Sequence, residues 1–274
     1  ALNNLGTLHV LRGEYGPARR VYENVLATVR AFDMREGICV VEDNLGEVWM
    51  LMGYLDEART LAEASVVSTA QLDWPNMLAK SIMDLATCTV AAGDLQEASD
   101  HLQRAHQILP DQGIQESHLY YLYLSARLNL LQGDVTAAAE QAFLLTQQAH
   151  QVGMRWLEGQ IATLDGRIEF AQGDIQAAEQ ALRRAVRICE DRGLRADAAK
   201  AKAELGLVLE RAAKESEAAQ VLASAWEEMA RRMMRLDLTH LLERLGQPPA
   251  LSGQESVSLP RQDAPLRRHP TPEE

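Results

Sequence analysis

Tyr120, Tyr123 and Arg127 stand at i, i+3 and i+7, so on a helix they share one stripe. Two aromatic rings beside a guanidinium are the composition of an interaction hot spot: large apolar area, and a cation that can pair or stack. The same spacing also suits tyrosines packed in a core beside a solvated arginine, since aromatics at helical intervals commonly pack. Groups for bond-making chemistry are scarce. The sequence contains no P-loop, no G-x-G-x-x-G, no G-x-S-x-G and no H-E-x-x-H. His101 and His106 are five apart, which does not put two metal ligands cleanly on one helical face, and they read as surface residues. Glu227 and Glu228 read as ordinary helix-surface charge. Neither catalysis nor a cofactor nor a metal site is expected.

The elements that must position these residues follow one ruler. Gly13, Gly53, Gly93, Gly133, Gly173 and Ala213 are spaced 40 residues apart, and each is followed five residues later by an alanine, from Ala18 to Ala218. A second set of marks falls halfway between: Asp33, Asp73, Gly113, Gly153, Gly193 and Met233, each followed by a large apolar residue. A residue able to turn left-handed, then a hydrophobe folding back on the last turn, is how a Schellman-type helix end reads. Turns every 20 residues therefore predict pairs of helices of about 16–18 residues, stacked so that neighbours complete each other's core. Asp94, Asp134 and Asp174 are placed to cap the second helix of their pairs, Asp94 forming a capping box with Glu97. A third column is small throughout (Gly6, Gly46, Ala86, Ala126, Gly166, Gly206), which predicts close backbone approach within each pair.

Bulk composition agrees. Hydrophobic residues make up 47% of the 274 and aromatics only 5%, so the core must be built mainly from Ala and Leu, which suits closely packed helices. The net charge of −12 repels phosphate backbones and anionic lipid. Arg231, Arg232 and Arg235 stand against that field without a helix-turn-helix pattern, so nucleic acid is not expected as a partner. No apolar run is long enough to span a bilayer, and none reads as a targeting segment. Cys39, Cys88 and Cys189 are scattered on apolar faces, as reduced packing cysteines of a cytoplasmic protein would be. The repeat domain is expected over 1–246, its first unit lacking its start. The 247–274 segment holds six of the nine prolines and reads as a disordered tail or linker.

The columns resemble the tetratricopeptide repeat: Leu2, Leu5-Gly6, Ala18 and Tyr22 in the first unit, Leu45-Gly46, Trp49 and Ala58 in the second, Leu205-Gly206, Ala218, Leu222 and Ala225 in the last, with Pro110 closing the third. The family's usual repeat is 34 residues. The 40-residue form is similar to the arrays of kinesin light chains and of bacterial signalling ATPases and transcription regulators of the maltose-activator type. The resemblance implies an all-α, right-handed superhelix of about six helix pairs, ended by a capping helix at about 236–246 whose His240, Glu243 and Arg244 face water.

It also implies a concave groove lined by the first helix of each pair. Carried over position by position, that groove holds Lys80, Tyr120, Gln160 and Lys200, then Asp43 and Tyr123, then Glu47, Arg127 and Arg167. The expectation is a locally basic, aromatic floor, with Asp43, Glu47 and Asp84 projecting negative charge at the N-terminal end. The carboxylate clamp of chaperone-binding members is not reproduced: Asn44 and Lys80 match it, but Asn3, Thr7 and Asp84 do not. Three functions remain open. The array is a scaffold holding a partner's peptide or helix in its groove. It is a sensor of a larger regulatory ATPase, contacting that protein's other domains or a small effector. Or it mediates self-association.

Overall fold

The computed structural model describes residues 2–109, 116–246 and 248–249. Pro110, Gly113 and, apart from 248–249, the 247–274 segment lie outside them. Among the described residues there are thirteen α-helices and no strand. Six pairs run α1 (Leu2–Leu11) with α2 (Tyr15–Ala31), α3 (Arg35–Leu51) with α4 (Leu55–Gln71), α5 (Pro75–Ala91) with α6 (Leu95–Ile108), α7 (Glu116–Leu131) with α8 (Val135–Val152), α9 (Glu158–Gln172) with α10 (Ile175–Asp191), and α11 (Arg195–Arg211) with α12 (Glu215–Arg231); α13 (Arg235–Leu245) follows. A 3-10 turn, Arg155–Leu157, leads into α9.

Left-handed residues end the helices where the ruler put them. Positive φ occurs at Gly13, Gly53, Gly93, Gly133, Gly153, Gly173 and Gly193, and also at Asp33, Asp73, Ala213 and Met233. The following residue's N–H closes the turn by donating five residues back, as Met34 does to the Val29 carbonyl at 2.9 Å and Lys214 to Leu209 at 3.0 Å. Asp94, Asp134 and Asp174 each accept a hydrogen bond at 2.9 Å from the N–H three residues on. The capping box at Asp94 is only half formed, because the Glu97 carboxylate instead accepts from Arg59 at 2.8 Å.

The small column makes room chiefly for a side chain of the paired helix, and it also brings the backbones close: a Cβ at Gly166 would stand 3.3 Å from the Ala178 carbonyl oxygen, and one at Gly46 3.6 Å from that of Ala58. A Cβ at Gly6 would stand 2.3 Å from the Tyr22 ring, at Gly166 2.5 Å from Leu182 Cγ, and at Gly206 2.4 Å from Leu222 Cγ. In these three pairs the large residue sits 16 positions after the glycine it covers, a knob in its socket, whereas the second and fourth pairs carry Ala62 and Ala142 at that position.

First helices form the inner layer: α3 touches α5, α5 touches α7, α7 touches α9, and α9 touches α11. The array then meets itself. One core cluster joins Tyr15, Tyr22, Val48 and Trp49 near the start to Ala199, Trp226, Met234, Leu238 and Leu241 near the end. Arg235 of α13 lies over the Tyr54 ring at 6.0 Å, and a Cβ at Gly53 would touch Arg235 Cβ at 3.1 Å. The capping helix was expected to have nothing after it. It packs on α12, as a cap would, and also on α3, covering the inner side of the second unit. His240, Glu243 and Arg244 are exposed, as expected.

Candidate interaction groove

The inner layer brings the groove residues together and pairs most of them across neighbouring units. Lys80 Nζ donates to the Asp43 carboxylate and, at 2.8 Å, to Asp84 Oδ2. Tyr120 Oη donates to Asp84 Oδ1 at 3.1 Å. Beneath them the Ser65 and Ser81 hydroxyls meet at 2.7 Å in the core. The same register recurs further along: Gln160 Nε2 donates to Asp197 at 3.3 Å, Arg167 lies 3.7 Å from Glu204, and Lys200 lies 3.8 Å from Asp237. Glu204 also accepts from Arg244 of α13 at 2.8 Å. Apart from the Lys80–Asp84 pair within α5 and the Ser65–Ser81 pair, these contacts span 36 to 40 residues, and each of those staples a unit to the next.

The floor is therefore not basic. Lys80, Arg167 and Lys200 are each matched by a carboxylate one unit away, and the stripe's charge is largely internal. Asp43 does not project either: its side chain is 1% exposed. Burial pushes its carboxyl well above the ordinary range, and Asp84's repulsion adds to this against the pull of Lys80. Burial likewise raises Glu47 and Tyr120. For Lys80 burial acts the other way, but the combined attraction of Asp43, Asp84 and Glu47 outweighs it and holds the ammonium charged. Two carboxylates thus compete for one cation.

Arg127 is the exception. Its guanidinium carbon lies 5.5 Å from the centre of the Tyr123 ring, a cation–π contact, and among the described residues no carboxylate stands within ion-pair distance of it. It borders a cavity of about 130 Å³ where α13 closes over α3, α5 and α7. The lining is mostly hydrocarbon, including Met50, Val90, Leu124 and Leu128, and Lys200, Asp237 and His240 stand at its polar side. The sequence reading missed the part played by α13. The signal was present: Leu245-Gly246 falls in register with Leu45-Gly46 and Leu205-Gly206, marking α13 as the first helix of a seventh unit.

Among the described residues no group of three or more His, Cys, Asp or Glu could hold a metal. No described helix is long and apolar enough to cross a membrane. Cys39, Cys88 and Cys189 are free and buried, and burial pushes the thiols of Cys88 and Cys189 up to about 12, far from thiolate reactivity.

Helix pairs, left-handed turns and a small column covered by the partner helix define an α-solenoid of the tetratricopeptide type. Residues 1–31 match the family model for the tetratricopeptide repeat. RapI in its apo form is similar at TM-score 0.66 and 12% identity, over 85% of this chain and 83% of RapI. A Rap protein complexed with competence and sporulation factor is similar at 0.66 and 16%, over 89% of this chain and 64% of that one. The signal transduction ATPase with numerous domains from Pyrococcus horikoshii, which carries a tetratricopeptide repeat sensor, is similar at 0.59 and 14%, over 88% of this chain and 37% of that one. No curated protein sequence matches the chain.

Proposed function

We propose that the chain is a non-catalytic interaction module that holds a segment of a partner protein on its inner face, centred on Tyr123 and Arg127. The observation that carries this reading is Arg127: a guanidinium stacked on an aromatic ring, facing the interior, with its charge uncompensated while its neighbours are paired. Lys80, Asp43, Asp84 and Tyr120 serve this reading as the frame that fixes adjacent units, and Gln160, Arg167, Lys200 and Glu47 as the rim. A cross-linked pull-down comparing wild type with a Tyr123→Ala, Arg127→Gln variant tests it. A partner recovered by wild type and lost by the folded variant is the expected result; equal recovery by both refutes it.

A second reading, an effector-sensing module of a larger regulatory protein, is favoured by the partly open cavity whose wall α13 completes. The likeness to a protein whose repeats are a sensor supports it, as does the likeness to a Rap protein seen in complex with a factor.

A further inference from the structure

The cavity beneath α13 combines two features that together specify a ligand. Its walls are apolar, with Val90 from α5, Leu124 and Leu128 from α7, Met50 from α3 and Leu236 from α13. Its one uncompensated charge is Arg127, oriented by stacking on Tyr123. A guanidinium offers two parallel N–H donors that match a carboxylate, and a low-dielectric wall strengthens that pairing. The hydrocarbon walls favour an apolar body over water. The volume of about 130 Å³ is close to that of apolar cavities of roughly 150 Å³ that hold a benzene ring. Asp237 opposes a second negative charge, since it stands on the same lining and is drawn to Lys200 at 3.8 Å.

We propose that this cavity binds a short apolar monocarboxylate, its ring or branched chain between α5 and α7 and its carboxylate on Arg127. The inference rests on the effector-sensing reading and names its ligand class. Because Leu236 and Asp237 of α13 form part of the wall, an occupied cavity stabilises the folded array with α13 in place by mass action.

The test is calorimetric titration of the full chain with benzoate, 4-methylpentanoate and their amides, and with a leucine-terminated peptide as free acid and as amide. The acids are expected to bind, with the amides and the Arg127→Gln variant weaker by about tenfold or more. Ala91→Leu, which fills the cavity and keeps Arg127, should also abolish binding; circular dichroism checks the fold of both variants. If only the peptide acid binds, the same chemistry holds and its source is a chain end. Silence from every acid, amides equal to acids, or full binding by a folded Arg127→Gln variant overturns the proposal. A protein partner that depends on Tyr123 and Arg127 while all acids are silent refutes the cavity assignment alone. Acid binding with no such partner refutes the scaffold reading alone.

Discussion

Replacing Lys80 by methionine should expose how the inner layer is held together. The change keeps the aliphatic stem but removes the only ammonium between Asp43 and Asp84. Asp43, with its side chain 1% exposed, is left facing another carboxylate with no cation. Breaking a buried ion pair from one side costs about 3–5 kcal/mol, because the remaining charge is stranded. The Lys80 side chain is itself 33% exposed, so water relieves part of this, and about 3 kcal/mol is the expected loss at pH 7. For an array of this size that corresponds to a melting temperature lower by roughly 6–12 °C.

The pH dependence gives a sharper check. Burial already raises the Asp43 carboxyl above its unfolded value, and losing Lys80 raises it further. An acid raised on folding contributes stability that is full below its unfolded value near 4 and is lost as pH rises through the folded one. The gap between variant and wild type should therefore narrow as pH falls below neutrality, by up to about 1.4 kcal/mol per pH unit. Adding Asp43→Asn to Lys80→Met should restore most of the loss. Calorimetric melting of the three proteins at several pH values decides it. A full-sized deficit that stays constant with pH, or no deficit at pH 7, would show that Lys80 does not compensate Asp43.

Two stability predictions accompany this one. Gly166→Leu should destabilise by about 1–3 kcal/mol or more, since even a Cβ would stand 2.5 Å from Leu182, and Leu182→Ala should partly rescue it in denaturant melts. An unchanged midpoint would contradict the knob-and-socket packing. Ala213→Gly should raise the melting temperature slightly: at φ 58° the alanine bears a left-handed penalty of about 1–2 kcal/mol, which glycine's entropy offsets only in part. A lower midpoint would refute that account.

The skeleton was legible because its determinants are local. A left-handed residue every 20 positions, an aspartate behind the glycine and an invariantly small column each act within one or two turns of chain, and the turns, caps and pairing follow from them. The state of the groove was not legible, because it depends on contacts between units. Lys80 reads as a free cation until Asp43, 37 residues earlier, is found against it, and Arg167 reads likewise until Glu204 is. The Leu245-Gly246 register marks the helix from Arg235 as a repeat helix, but its contact with α3 was not legible, because superhelical curvature decides what its far side meets. The Tyr120, Tyr123, Arg127 stripe divides accordingly: Tyr120 is tied to Asp84, while Tyr123 and Arg127 stack together at the cavity.

The return of α13 onto α3 also changes how the chain should unfold. A linear stack of repeats can melt from its ends, one unit at a time, because each unit leans only on its neighbours. Here the last helix shares a core with Trp49 and Tyr15, so apart from α1, in which only Gly6 is buried, neither end is free to fray first. Opening the seam removes support from both termini together, and closing it requires a loop of nearly the whole array. The molecule should behave as a ring fastened at one clasp: a single steep transition at equilibrium, and slow final closure in refolding.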